Sequence, residues 1–501
     1  MIRTLALIRF DLRALLRERG TLLLLAAALL LALYGLFEGM RFHRHAQATQ
    51  HAAAAQEAGA RAAANDLAAR YFANPDAPEF AGLRYYRTPV DVRGYAFREH
   101  VGFASLPALP GAALAIGEAD IRPSTVRVRA ESMESVRTAA EIEHPARLAG
   151  GRYDLMFFVV YLWPLVLLSL CASVLTQDRE SLRLRSLLLQ GVGSSRILFV
   201  QAGARALLAT VLLSAVVAAI ALATGSVPSD ASGLQAIARW AGIVLLYSTF
   251  WSAVAAAVCA CCASRMSAAF AGFGLWLLFV IVAPAAIDAA ARLAAPVPPR
   301  ERYVQAMRDA IDGVNANRAA SLARFYDSHP EWRPARTAPG DVSSSVSRLH
   351  RAQELERTMQ GVEREFAQAE GARAMLFARL SALSPVTLAN AAFAAAAGND
   401  YARHRRFVGE VERHQNALRD WFQDAIQRAA LGDERTGCAR TCLGGYGFRD
   451  FDRVPRFSAS AALAQPTGLP QRAWLLLGWA GAFGVLALAA LARERHRQQR
   501  G

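Results

Sequence analysis

Six stretches of this 501-residue chain contain no charged side chain: Thr21–Phe37, Leu155–Thr176, Ala206–Thr224, Trp240–Cys262, Met266–Ile287 and Ala473–Ala492. They run for 17, 22, 19, 23, 22 and 20 residues, each near the ~20 residues with which a helix crosses ~30 Å of hydrocarbon. In a bilayer core only helices and closed barrels satisfy their own backbone, and uniformly apolar runs of this length are helical. The sequence therefore predicts an all-α polytopic membrane protein with transmembrane helices at 20–38, 155–176, 206–224, 240–262, 266–287 and 473–492. A purely soluble protein is excluded.

The 56 basic residues are all arginine; the chain has no lysine. A P-loop needs its lysine on the nucleotide phosphates, and a pyridoxal Schiff base needs one as well. Both are excluded, so ATP hydrolysis linked to this protein belongs to another chain. A net charge of +15 would suggest nucleic acid in a soluble protein. Here membrane topology accounts for it, and no nucleic-acid partner is expected.

Short loops rich in arginine stay in the cytoplasm, whereas long domains cross largely regardless of charge. Basic residues crowd 1–19 (Arg3, Arg9, Arg13, Arg17, Arg19), the 177–205 connection (Arg179, Arg183, Arg185, Arg196, Arg205), the link at Arg265 and the 493–501 tail. One assignment satisfies all four. Both termini are cytoplasmic, and 39–154, 225–239 and 288–472 lie outside a bacterial inner membrane. The first span, lacking a small-x-small cleavage site, reads as a retained signal anchor.

Leu5, Ile8, Leu12 and Leu15 recur at helical spacing beside Arg9, Arg13 and Arg17, the pattern of an amphipathic helix on the inner leaflet; a plain orienting flank is the alternative. Beyond the first span, the alanine-rich run from His45 to Phe72 favours a helix continuing outward. Ser124–Ala130 alternates like a short strand. In 288–472, apolar faces appear at Val304, Met307, Ile311 and Val314, at Leu355, Met359, Val362 and Phe366, and at Phe407, Val411, Leu418 and Phe422. The two long outer segments are expected to form one mainly α-helical domain. Pro164 and Pro284 are expected to kink their spans.

The segment Glu141–Gln190, with Ala115–Pro123 (AIGEADIRP), Phe325–Glu331 (FYDSHPE), Ser384–Pro385 and Ala397–Tyr401 (AGNDY), resembles the permease subunit of ABC-2 type exporters, in the subfamily carrying domain of unknown function 3526. The resemblance implies two permease copies or paralogues working with separate ATP-binding subunits. It also implies a coupling element after the second span, falling on Asp178, Arg179, Glu180 and the leucines Leu187 and Leu188. The Gly-Thr usual there is replaced by Ser181 and Leu182. Read from the residues alone, Asp178 and Glu180 either accept bonds from a partner's arginines or offset the dipole of a helix over 183–190.

Cys171, Cys259, Cys261 and Cys262 sit in or beside spans and read as packing residues. Cys438 and Cys442, in GCARTCLGG, read as a disulfide in an oxidising compartment, with free thiols or part of a metal site as alternatives. His43, His45 and His51 and the Arg84–Arg87 patch read as ordinary surface. No catalytic constellation is present, and no cofactor is expected. The expected function is transport, with no ATPase site of its own. The rival from another class is a membrane-anchored binding or assembly protein that passes an ATPase-driven change to an outer partner. A membrane-embedded enzyme would need polar or ionisable groups within the spans, and the six runs have none that are charged.

Overall fold

The computed structural model describes residues 2–84, 87–130, 152–171, 174–180, 184, 186, 189, 193–333, 344–431, 443, 446–465 and 471–500. Helix α1 (Ile2–Arg17) lies beside a bundle of α2 (Arg19–Ala73), α3 (Leu155–Cys171), α4 (Ser194–Ala223), α5 (Ala231–Cys261) and α6 (Arg265–Ala294). Then come α7 (Arg300–Ala316), α8 (Arg318–Ser328), α9 (Ser344–Leu380), α10 (Pro385–Ala397), α11 (Tyr401–Leu431) and α12 (Leu475–Arg500). Among the described residues, five helices are long and apolar enough to cross a membrane: α2, α4, α5, α6 and the Arg472–Glu494 stretch.

Helix α3 is the exception. It is described from Leu155 to Cys171, 172–173 lie outside the described residues, and Leu175 beyond them takes a left-handed conformation (φ 64°) that no regular helix continues through. Its 17 residues rise about 25 Å. Helix α4 differs the other way: it begins at Ser194, so 194–205, expected in the coupling connection, forms its first turns. Helix α5 likewise starts at Ala231 and leaves only a short turn after α4.

Both prolines act as expected of helix breakers, through wide π-helical turns. Phe158–Leu162 precedes Trp163 and Pro164, and Leu278–Val282 precedes Ala283 and Pro284. Proline has no N–H and its ring crowds the carbonyl four residues back, which for Pro164 is Val160. That carbonyl accepts from the Tyr247 hydroxyl of α5 at 2.8 Å, and the next, Tyr161, accepts from the Trp276 indole of α6 at 2.9 Å. The break thus pins α3 to two neighbours. Helix α5 is the centre of the bundle, with Trp240, Tyr247, Phe250, Trp251 and Val254 all buried in its core.

The two long segments outside the bundle share one core. Ala64, Ala68 and Tyr71 of α2 pack with Tyr95, Phe448, Phe451 and the α11 face Phe407, Val411, Leu418 and Phe422. The α11 stripe is buried as its spacing implied. On α7, by contrast, Val304 and Ile311 stay exposed while Val314 is buried. The alanine-rich run is helical as expected, so α2 passes unbroken from bundle core to domain core. A small antiparallel ribbon pairs β1 (Gly102–Ser105) with β2 (Thr125–Val128), Gly102 opposite Val128. Helix α10 is apolar apart from Thr387 and Asn390 and buries Leu388, Ala389, Phe393 and Ala396 in the bundle core.

Candidate functional site

The sequence pointed to the chain after α3, and a short helix, Thr176–Glu180, stands there. Its arginine and glutamate close the turn between α5 and α6. Arg179 Nη1 donates to the carbonyls of Cys259 and Cys262 at 3.0 and 2.9 Å, where α5 ends. Its Nη2 pairs with Glu494 of α12 at 2.5 Å. Glu180 Oε1 accepts from the Arg265 backbone N–H, the first of α6, at 2.9 Å, and Oε2 pairs with Arg265 Nε at 2.9 Å. A cation therefore sits on a helix C-terminus and a carboxylate on a helix N-terminus, each the sign the dipole favours. Asp178 is buried beside them. Leu187, Leu188, Cys438 and Cys442 lie outside the described residues.

At the same end, Arg205 of α4 holds Asp11 of α1 through a bidentate pair of 2.9 and 2.7 Å and donates to Leu170 O at 2.8 Å. Both side chains are largely buried. This latch fixes the N-terminal helix to the bundle, and sequence reasoning missed it because the partners are far apart in the chain.

The opposite end of α5 joins the domain, and two of the quoted motifs meet there. Asn399 Nδ2 donates to Ala115 O at 2.7 Å and Ala112 O at 3.3 Å, while its own carbonyl accepts from Glu118 N at 3.1 Å. Asp154, which caps α3 through Phe157 N, also accepts from Ile116 N at 2.7 Å. Arg403 gives every donor group to main chain: Nη1 to Gly398 O (2.8 Å), Nη2 to Pro107 O and Leu463 O (2.5 and 2.8 Å), and Nε to Leu463 O (3.2 Å). Two glycines make the fit possible. Gly398 ends α10 at φ 73°, where a Cβ would lie 2.3 Å from Leu109 Cδ1, and Gly117 turns at φ 58° against Asn399 O.

Around this joint opens a cleft. One wall is α2 from Phe42 to Gln50 with Leu106 and Pro107; the other carries Glu118, Arg122, Asp400 and His404. Arg122 pairs with Glu118 at 2.8 Å and lies 4.4 Å over the Tyr401 ring. Burial raises the Glu118 carboxyl, opposed by Arg122 and reinforced by Asp400 and Asp120. Burial, with Arg122, pushes His404 down to about 4, so it is neutral at pH 7. Burial also pushes Arg403 down to about 10, and it remains charged.

The third motif is a corner. Phe325 is buried at the end of α8, with His329 stacked on it at 4.7 Å and bonded to Ser328 Oγ at 2.9 Å. His350 Nε2 meets Ser321 Oγ at 2.7 Å, and both are buried. Among the described residues no group of three or more His, Cys, Asp or Glu is placed to hold a metal.

The model of the family described as "Domain of unknown function (DUF3526)" matches residues 300–435, from the start of α7 to just past α11. No curated protein and no solved structure matches the chain.

Proposed function

We propose that the chain is the permease subunit of an ABC-2 type exporter in a bacterial inner membrane, driven by a separate ATP-binding subunit. In this reading α3 completes a set of six spans, both termini are cytoplasmic, and the domain stands on the outer face. A second permease copy or paralogue completes the pathway. The observation that carries the reading is the tie made by Arg179 and Glu180. One short helix at the arginine-rich end holds α5, α6 and α12 at once, so a push on it reaches three helices together. Absence of lysine leaves no P-loop in the chain, which requires the energy to come from a partner. The unbroken α2, running from bundle core to domain core, favours a second reading in which the chain relays that motion to an outer partner.

Glu180→Arg tests the coupling role. It removes the acceptor of the Arg265 N–H and sets like charge against Arg265, while the basic balance that orients the chain increases. The variant should insert and co-purify with the ATP-binding subunit, yet leave its hydrolysis at the unstimulated rate in reconstituted membranes. Stimulation equal to the parent's would remove this helix from the coupling path.

A further inference from the structure

We propose that the cleft at the domain joint binds a phospholipid with a zwitterionic, primary-ammonium head group, its phosphate on Arg122 and its ammonium on Glu118. The inference deepens the transport reading by naming a ligand class for the outer end of the bundle, and it rests on that end lying at a membrane surface.

The lining separates its functions. Phe42, Leu106 and Pro107 offer an apolar wall, and Phe42 stands in the first turns of α2 past its charge-free run. That is the level at which a head group meets the acyl region. The facing wall carries opposite charges with distinct duties. Arg403 is consumed by backbone carbonyls and His404 is neutral at pH 7, so neither brings a free positive charge to a ligand's anion. Arg122 does: its Nε is buried with no hydrogen-bond partner, and guanidinium groups recognise phosphate through paired N–H donors. The Tyr401 ring beneath holds the guanidinium in place.

Glu118 is the more open member of its pair, 44% exposed against 25% for Arg122. Asp120 and Asp400 add negative potential around it, which favours a cation over a second anion. Anion and cation sites thus sit side by side, the spacing of a phosphoethanolamine head. A purely anionic lipid would meet the acidic half unpaired, and a choline head lacks the N–H donors that a carboxylate accepts.

The test uses the full-length chain in nanodiscs of equimolar phosphatidylethanolamine, phosphatidylglycerol and phosphatidylcholine, with retained lipid counted by native mass spectrometry. No ATP-binding subunit is present, so failure here is distinct from failure of coupling. Phosphatidylethanolamine should be enriched roughly tenfold, the ratio that about 1.4 kcal/mol gives. Arg122→Gln should abolish the enrichment, and Glu118→Gln should bring phosphatidylglycerol level with phosphatidylethanolamine. Ala46→Trp fills the cleft from the α2 side without touching either charge and should abolish retention of all three. Enrichment should survive equimolar O-phosphoethanolamine; displacement by that soluble head group would assign the site to a free phosphoester and overturn the lipid. No enrichment in the parent, or enrichment unchanged in Arg122→Gln and Ala46→Trp, would overturn the site.

Discussion

At the domain end of the bundle Arg403 is 4% exposed and gives its donors to the carbonyls of Gly398, Pro107 and Leu463. At the arginine-rich end Arg265 is half exposed and pairs with Glu180, itself 40% exposed. Both arginines close a joint between helices, but the consequences of opening them differ. Separating Arg403 from its partners strands buried carbonyls, each costing about 1–3 kcal/mol. Separating an exposed pair returns two ions to water for about 0–1 kcal/mol. The Arg403 joint is therefore built to stay shut and the Arg265–Glu180 tie to yield. That asymmetry suits a machine pushed from one side whose domain follows as a unit.

Arg403→Met should break the comparison hardest. Methionine fills the volume but leaves Gly398, Pro107 and Leu463 without their donor, and stability should fall by about 3 kcal/mol or more. Arg403→Lys should rescue only part, since one ammonium cannot span donors that the guanidinium fork supplies. Thermal unfolding of the full chain in detergent measures both. A melting temperature for Arg403→Met equal to the parent's would mean the domain end is no firmer than the other.

A smaller effect separates the domain core from the bundle. His100 is 4% exposed, edge-on to Tyr95 and Phe422. Burial pushes it down to about 4, with Arg61, His414 and Arg127 adding to the shift. The unfolded imidazole takes up its proton near pH 6.5, so below that the unfolded state binds more protons and stability falls. The loss should begin near pH 6.5 and be complete near pH 4, on the order of 1–3 kcal/mol. Amide exchange should show the domain core opening sooner at pH 5 than at pH 7 while α5 stays protected. His100→Phe keeps the aromatic packing and should remove part of that sensitivity. Equal acid response in α5 and α11 would show that the two cores unfold as one.

The parts legible in the sequence were those with a period or a long uniform run. Charge-free stretches located the bundle helices, and Phe407, Val411, Leu418 and Phe422 marked a face that is buried along its length. Absence of charge misplaced the start of α4, because Arg205 lies inside that helix and is tolerated there through its pair with Asp11. The left-handed turn at Leu175, just before the short helix Thr176–Glu180, left no mark in the sequence. Helix α10 is too short to stand out as a bundle element, yet Phe393 is among the largest fully buried side chains. The cleft was half legible. Both its motifs were noticed, but Arg403 bonds to backbone carbonyls, which leave no mark on composition or spacing. Only the fold brings Asn399 to Ala115.

The mildest perturbation, at the yielding end, tests the contrast most finely. Glu180→Gln keeps an oxygen for the Arg265 N–H and removes the charge facing Arg265 Nε, while Arg265→Ala removes the other partner. Glu180 and Arg265 are 40% and 51% exposed, so their coupling in a double-mutant cycle should be only about 0.2–1 kcal/mol at low salt. Near 1 M salt, where the Debye length is about 3 Å, that coupling should fade. The Arg403→Met loss should persist there, because its partners are buried neutral carbonyls that salt does not screen. A salt-resistant coupling well above 1 kcal/mol for Glu180 and Arg265 would make the tie as rigid as the domain joint. The short helix would then be a fixed strut, and a push on it would have to move α5, α6 and α12 as one block rather than open the turn between them.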